Sequence, residues 1–263
     1  MIIDLHSHLI PGVDDGAQTL EDSLKLAKLA VDEGIKHIVL TPHHRNGQFN
    51  NYAETIIKQT EELQQAFDNA GISLTVYPGQ EIRLTEYFMD DLFDQKLLSL
   101  DGGGKYYLIE LPTKRVPSFT KEYLQMMIDQ GITPIIAHPE RNAEIMKDYS
   151  ILQEFIDMGC IGQLTAISYS GNIGEEFLKV ACDFIRLGLV QIMSSDVHHI
   201  EWRPFNMKSG YERMEQEFGI EKVQEFKDNA RSIINGDDII VNKIQTKKVK
   251  NKPKKKKRFF GLF

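Results

Sequence analysis

The chain holds only two cysteines among its 263 residues, Cys160 and Cys182. Two thiols without a Cys-x-x-Cys pair build no disulfide framework and fit a reducing cytoplasm. The sixth residue after each is Ala166 or Gly188, so neither heads the Cys-x5-Arg loop of a cysteine-dependent phosphatase. No run of about 18 apolar residues is present, so no spanning helix is expected. Asp4 and His6 interrupt the N-terminus too early for a secretory leader. Gly-rich dinucleotide and P-loop fingerprints are also missing. Acid is also absent from the end of the chain: from Lys243 onward there are ten Lys or Arg and no Asp or Glu. Taking those ten from the 31 basic residues leaves 21 against 38 acids, so residues 1–242 carry −17 while the whole chain carries −7. A body that acidic repels nucleic acid, whose binding rests on phosphate neutralisation, and no nucleic-acid partner is expected.

What the sequence does contain is an alternation of short apolar runs with amphipathic segments. Strands are expected at Ile2–Leu5, His37–Thr41, Leu74–Pro78, Tyr106–Leu111, Thr133–His138, Ile161–Leu164 and Val190–Ser194. Helical patterns lie at Leu20–Val31, Tyr52–Ala70, Lys121–Gln130, Ile151–Met158, Glu175–Leu187, Met207–Phe218 and Glu221–Ile234. Thr19 and Asp22 form a capping-box pattern at the first of these. Gly34, Gly71, Gly131, Gly159 and Gly188 each stand just before a strand, as helix C-cap glycines do. Alternating strands and helices predict βαβ units and a parallel sheet. Seven or eight such units in residues 1–242 favour one closed α/β barrel over an open doubly wound sheet. Residues 243–263 read as a separate flexible tail.

Nearly every expected strand delivers a metal-ligand type of residue at its C-terminal end, where barrel enzymes assemble their sites. The first ends in Asp4-Leu5-His6-Ser7-His8, and two histidines at i and i+2 on an extended segment point the same way. Asp14 and Asp15 follow in the loop, and either can face the site. Later strands end in His43, Glu81, Glu110, His138, and Asp196-Val197-His198. Burying such groups is costly without partners, and cations at the barrel mouth remove that cost. Mixed imidazole and carboxylate donors suit manganese, iron, cobalt or zinc. Glu81 is placed to bridge two ions, and paired ions stabilise both oxygens of a phosphoryl transfer. Arg141 follows His138 and Arg203 follows His198, where a guanidinium fork can hold phosphate. Asp4 is expected to orient His6 or His8 as an acceptor, whereas His37, His44 and His199 are expected to be packed or peripheral groups.

On these segments the chain resembles the PHP superfamily (polymerase and histidinol phosphatase). Three further strings, His8-Leu9-Ile10-Pro11-Gly12-Val13-Asp14-Asp15-Gly16, Pro78-Gly79-Gln80-Glu81-Ile82-Arg83 and His138-Pro139-Glu140-Arg141-Asn142, are similar to the manganese-dependent tyrosine-protein phosphatases of bacterial capsule and exopolysaccharide operons. The segment Thr165-Ala166-Ile167-Ser168-Tyr169 departs from the matched motifs. The resemblance implies a distorted (β/α)7 TIM-like barrel with three Mn2+ ions. It places His6, His8, Glu81 and Asp196 on the first ion, Glu81, Glu110 and His138 on the second, and Asp15, His43 and His198 on the third. It makes Arg141 and Arg203 the phosphate contacts, with Asp196 and His198 also counted among the catalytic residues. The implied reaction is single-step hydrolysis of phosphotyrosine by metal-activated hydroxide. The implied substrate is the tyrosine-rich tail of a bacterial tyrosine kinase controlling polysaccharide synthesis. A small-molecule phosphatase of the same superfamily, such as one acting on histidinol phosphate, is the alternative reading. A non-catalytic binding module would be signalled by lost ligands, and every ligand position is filled.

Residues 247–263 combine five consecutive basic residues, Lys254 to Arg258, with Phe259-Phe260-Gly261-Leu262-Phe263. Each cation near an anionic leaflet gains about 1 kcal/mol, and the aromatics can enter the interface. The expected location is therefore the cytoplasm, with peripheral contact at the inner membrane face. In a liposome sedimentation assay the full chain is expected to pellet with anionic vesicles and a truncation after Asn242 to stay in the supernatant. Equal sedimentation would remove the tail from membrane binding.

Overall fold

The architecture was taken from a computed structural model, which describes residues 1–239; the basic tail and its anchoring role lie outside the described residues. Nine strands carry the fold: β1 (Ile2–Ser7), β2 (Ile35–Leu40), β3 (His43–His44), β4 (Thr75–Pro78), β5 (Glu81–Arg83), β6 (Tyr106–Glu110), β7 (Thr133–Ala137), β8 (Ile161–Thr165) and β9 (Ile192–Ser194). Every pairing between them is parallel. The sheets run β1-β2-β4 and β3-β5-β6-β7-β8-β9. Two more strands occur than the apolar runs suggest, because Thr41-Pro42 divides β2 from β3 and Gly79-Gln80 divides β4 from β5. Counted as interrupted single strands, these give the seven staves of a distorted (β/α)7 barrel. A parallel bridge from Ser7 to Val197 closes the ring between its first and last staves at the mouth.

Interior and exterior follow the period of two along each strand. Ile3, Leu5, Val39, Leu108, Ile135, Ile161 and Ile192 form one apolar cluster inside the barrel. Ala230 and Ile233 of the last helix, Ile220–Ile234, join that cluster and pack against its floor. A larger cluster lies between the strands and the surrounding helices, from Leu26 and Phe67 to Leu124, Phe184 and Phe226. The first helix, Leu20–Asp32, carries the anticipated capping box: Thr19 accepts from the Asp22 amide, and the Asp22 carboxylate accepts from the Thr19 amide at 3.0 Å. All five C-cap glycines adopt positive φ, between 66° and 119°. Three short helices, Phe88–Phe93, Ala143–Lys147 and Ala166–Ser170, carry no clear period and were not visible in the apolar pattern. The last of them covers most of the segment Thr165–Tyr169 that departs from the matched motifs. No helix among the described residues is long and apolar enough to cross a membrane.

Two local departures from regular strand geometry serve the mouth. In β1, Asp4 pairs with Ile38 and Ser7 with Leu40, so β1 spends one residue more than β2 over this interval. That bulge inverts the inward phase set by Ile3 and Leu5, and brings His6 and His8 inward. In β7, alternation from Ile135 and Ala137 would send His138 outward, but its left-handed backbone, φ 33°, turns the ring to the mouth.

Close packing leaves no room at Gly162 of β8, where an added Cβ would lie 2.2 Å from the Leu189 carbonyl oxygen. Gly162→Ala is expected to cost about 1–3 kcal/mol, the usual penalty of overpacking, read as a lowered urea midpoint at unchanged slope.

Candidate metal centre at the barrel mouth

The mouth gathers donor atoms from six of the seven staves. His6 Nε2 and His8 Nε2 stand 3.2 Å apart, and each faces both Glu81 Oε2 (3.3 and 3.5 Å) and Asp196 Oδ1 (3.2 and 3.3 Å). A second group joins His8, Asp15, His43 and His198, and a third joins His43, Glu81 and Glu110. Asp15 rather than Asp14 faces the cluster, with Oδ1 3.3 Å from His43 Nε2 and 3.4 Å from His198 Nε2. The expectation grouped His138 with Glu81 and Glu110. Instead His138 meets the other oxygen of Glu81, Nε2 to Oε1 at 2.6 Å, and His43 takes the place beside Glu81 Oε2 at 2.7 Å.

The ring tautomers follow from what each second nitrogen touches. His6 Nδ1 donates to Gln163 Oε1 at 2.9 Å, a polarity fixed because Gln163 Nε2 donates to the Leu164 carbonyl. His8 Nδ1 donates to Asp14 Oδ2 at 2.7 Å, and His198 Nδ1 to the Asp196 carbonyl at 3.0 Å. All three rings therefore turn an Nε2 lone pair toward the cluster. Asp4 does not do this work, contrary to expectation. It accepts from the Ser195 amide at 2.9 Å and from the Ser195 hydroxyl, and so ties β1 to the loop carrying Asp196. Asp14 and Gln163 are the orienting acceptors. Gln163 was not identified from sequence because nothing adjacent marks it; its inward position on β8 is the only signal.

The charges cannot be satisfied among themselves. Burial opposes ionisation of Glu81, yet His43 and His6 outweigh it and hold the carboxyl well below its usual range. Burial likewise opposes charge on Asp196, and Arg203, His6 and Arg141 overcome it. Burial disfavours a charged His43, but Glu81 and Asp15 push the ring up to about 10. His198 moves the other way, to about 4, through burial and the neighbouring His8. Three fully buried atoms, His43 Nδ1, Glu81 Oε2 and Asp196 Oδ1, have no well-aligned hydrogen bond, although the first two lie only 2.7 Å apart, and all three belong to the cluster. Orphaned acceptors in a dry site are expensive. Imidazole nitrogens and carboxylate oxygens converging on them are the donor set of a divalent metal site, so the residues fit such ions.

Outside the cluster opens a cavity of about 280 Å³ lined in part by Asn46, Arg83, Thr113, Pro139, Arg141 and Arg203. Arg141 Nη1 and Arg203 Nη2 both contact Asp196 Oδ2, and Arg203 Nη1 lies 3.1 Å from His198 Nε2. Glu140, inside the same short turn as Arg141, is buried and accepts from the Thr165 amide at 3.0 Å, anchoring that turn to β8. The remaining histidines are peripheral, as anticipated: His37 meets the Tyr77 hydroxyl at 3.1 Å, His44 lies edge-on to Tyr52, and His199 stacks on Trp202.

Fold and site together define a parallel β/α-barrel protein with a multi-donor centre for divalent ions at its mouth. The capsular polysaccharide synthesis family CpsB/CapC matches residues 2–235, and the chain belongs to that family. It is 33% identical over 262 residues to the tyrosine-protein phosphatase YwqE of Bacillus subtilis (strain 168), covering 100% of both chains. Against the putative tyrosine-protein phosphatase CapC of Staphylococcus aureus the identity is 31%, over 99% of this chain and 100% of the relative. A solved structure from work on YwqE of Bacillus subtilis and CpsB of Streptococcus pneumoniae, described as metal-dependent tyrosine phosphatases, has a TM-score of 0.88 at 34% identity. It covers 91% of this chain and 96% of that one.

Asp14→Ala removes the acceptor of His8 Nδ1 and of the His43 and Gly16 amides while leaving every donor side chain of the cluster in place. Metal affinity measured by calorimetric titration with Mn2+ is expected to fall about 10–100-fold; an unchanged affinity would show that Asp14 does not orient His8.

Proposed function

We propose that the chain is a metal-dependent protein-tyrosine phosphatase that dephosphorylates the tail of a bacterial tyrosine kinase controlling capsule or exopolysaccharide synthesis. The observation that carries this reading is the cluster of orphaned buried donors with two arginine forks at one edge. Three divalent ions are proposed, with Mn2+ the favoured metal. Their ligands would come from His6, His8, Glu81 and Asp196, from Glu81, Glu110, His43 and His138, and from His8, Asp15, His43 and His198. When bound there, divalent ions supply Lewis acidity toward a phosphoryl oxygen and make water nucleophilic near neutral pH.

The chain's own residues do the rest. Arg141 and Arg203 approach from the cavity side and offer planar forks that match phosphate oxygens and the charge of the transition state. Asp196 holds both guanidinium groups in place through Oδ2 while Oδ1 faces His6 and His8. His198, held by the Asp196 carbonyl, sits beside Arg203 and joins the phosphate-facing edge to the donor cluster. A cysteine route has no support. Burial pushes the Cys160 thiol up to about 12 and Cys182 up to about 11, and neither lines the cavity, whereas the nucleophile would have to be a thiolate.

The similarity to phosphatases named for phosphotyrosine supports the substrate class, and the capsule-synthesis family supports the pathway. A place in the cytoplasm at the inner membrane face is proposed from the basic, aromatic-ended run 247–263. Phosphotyrosine-peptide hydrolysis is expected to vanish on chelation and return with Mn2+. It is expected to fall more than about 100-fold in His6→Ala and to persist in the double variant Cys160→Ala/Cys182→Ala. Full activity of His6→Ala would overturn the reading.

A further inference from the structure

The cavity contains a third arginine to which the mechanism above gives no part. Arg83 stands two residues after Glu81 on β5, so the two side chains leave the strand on the same side. Parallel register sets Arg83 directly beside Glu110 of β6. Its guanidinium takes both carboxylate oxygens, Nε to Oε2 at 2.8 Å and Nη2 to Oε1 at 2.7 Å. The side chains are 20% and 9% exposed, so the pair is largely shielded from competing water.

Its geometry differs from that of the other two arginines. Arg141 and Arg203 share one oxygen of Asp196, as phosphate-seeking forks parked on a common acceptor would. Arg83 instead engages Glu110 fork to fork, the arrangement that fixes a carboxylate plane most firmly. An ionised carboxylate has about four lone-pair directions. A bidentate arginine uses one on each oxygen and leaves one on each free. Glu110 Oε2 lies 3.8 Å from His43 Nδ1, beside the orphaned Glu81 Oε2. Glu81 and Glu110 are two buried carboxylates that repel one another, and Arg83 is the guanidinium that touches the second.

We propose that Arg83 is a positioning residue: it holds the Glu110 carboxylate in plane, and so prepares the group His43, Glu81 and Glu110 for a divalent ion. This rests on the metal-dependent reading above. The role requires a fork, which lysine lacks.

The test compares the wild type, Arg83→Gln, Arg83→Lys, Glu110→Gln and the double variant Arg83→Gln/Glu110→Gln, each stripped of metal and titrated calorimetrically with Mn2+. Arg83→Gln is expected to weaken one class of Mn2+ site about 10–100-fold and leave the others unchanged. Arg83→Lys should lie nearer to Arg83→Gln than to the wild type. The double variant should match Glu110→Gln alone, because Arg83 acts through that carboxylate. At saturating Mn2+ the KM of Arg83→Gln for a phosphotyrosine peptide should equal that of the wild type. Unchanged Mn2+ affinity with a raised KM would make Arg83 a substrate contact and overturn the proposal. Unchanged affinity with a lowered melting temperature in chelator would reduce it to a structural ion pair and overturn it equally. A wild type that binds no Mn2+ would sink the metal-dependent reading itself, whereas equal affinities in wild type and variant sink the role of Arg83 alone.

Discussion

Everything at the mouth of this barrel is arranged around one buried carboxylate, Glu81. Its Oε2 faces His6, His8 and His43, and its Oε1 meets His138. A side chain with no solvent exposure that draws four imidazoles from three staves cannot be an incidental feature of packing. Burying an ionised carboxyl costs several kcal/mol unless positive charge and hydrogen bonds return it. The rest of the site is the return: imidazoles turned inward by a bulge and a left-handed residue, and acceptors behind the rings that point lone pairs toward the centre. The barrel supplies rigidity for this through the apolar cluster beneath, and the last helix closes the floor.

The acidic body and the arginine edge belong to one electrostatic design. A chain with −17 over residues 1–242 offers a phosphate little welcome across its general surface. The cations that line the cavity are each tied to a site carboxylate, Arg83 to Glu110 and Arg141 and Arg203 to Asp196. Three arginines are thereby held at the cavity, where the proposed phosphate would bind. The buried thiols contribute apolar volume and nothing to the chemistry.

Much of this was legible in the sequence because strand periodicity and strand-end position are local properties. The runs from Tyr106 and Thr133 match β6 and β7 within a residue, and all nine residues expected as metal ligands lie at the mouth. What stayed hidden depends on contacts between distant segments. Gln163 and His6 are 157 positions apart, and no local pattern ties an inward glutamine to a histidine across the barrel. Asp4, adjacent in sequence, looked the better partner, but the bulge turned it to Ser195 instead. The strands beyond Thr41-Pro42 and Gly79-Gln80 were obscured because the apolar runs stop at Thr41 and Pro78, and the short segments His43–His44 and Glu81–Arg83 that follow are mostly polar and pair in the other sheet. Arg83 does carry a local signal, since period two from Glu81 places it on the same face of β5.

The bulge in β1 separates two messages carried by six residues. Ile3 and Leu5 speak to the core in one phase, and His6 and His8 speak to the site in the other. Aliphatic exchange at the first pair therefore leaves the second undisturbed, so the core can drift in composition while the chemistry stays fixed. Regular pairing of these same residues without the bulge would change no side chain's identity, yet it would turn both imidazoles toward the helices. In this strand the count of residues, more than their kinds, is what the chemistry inherits.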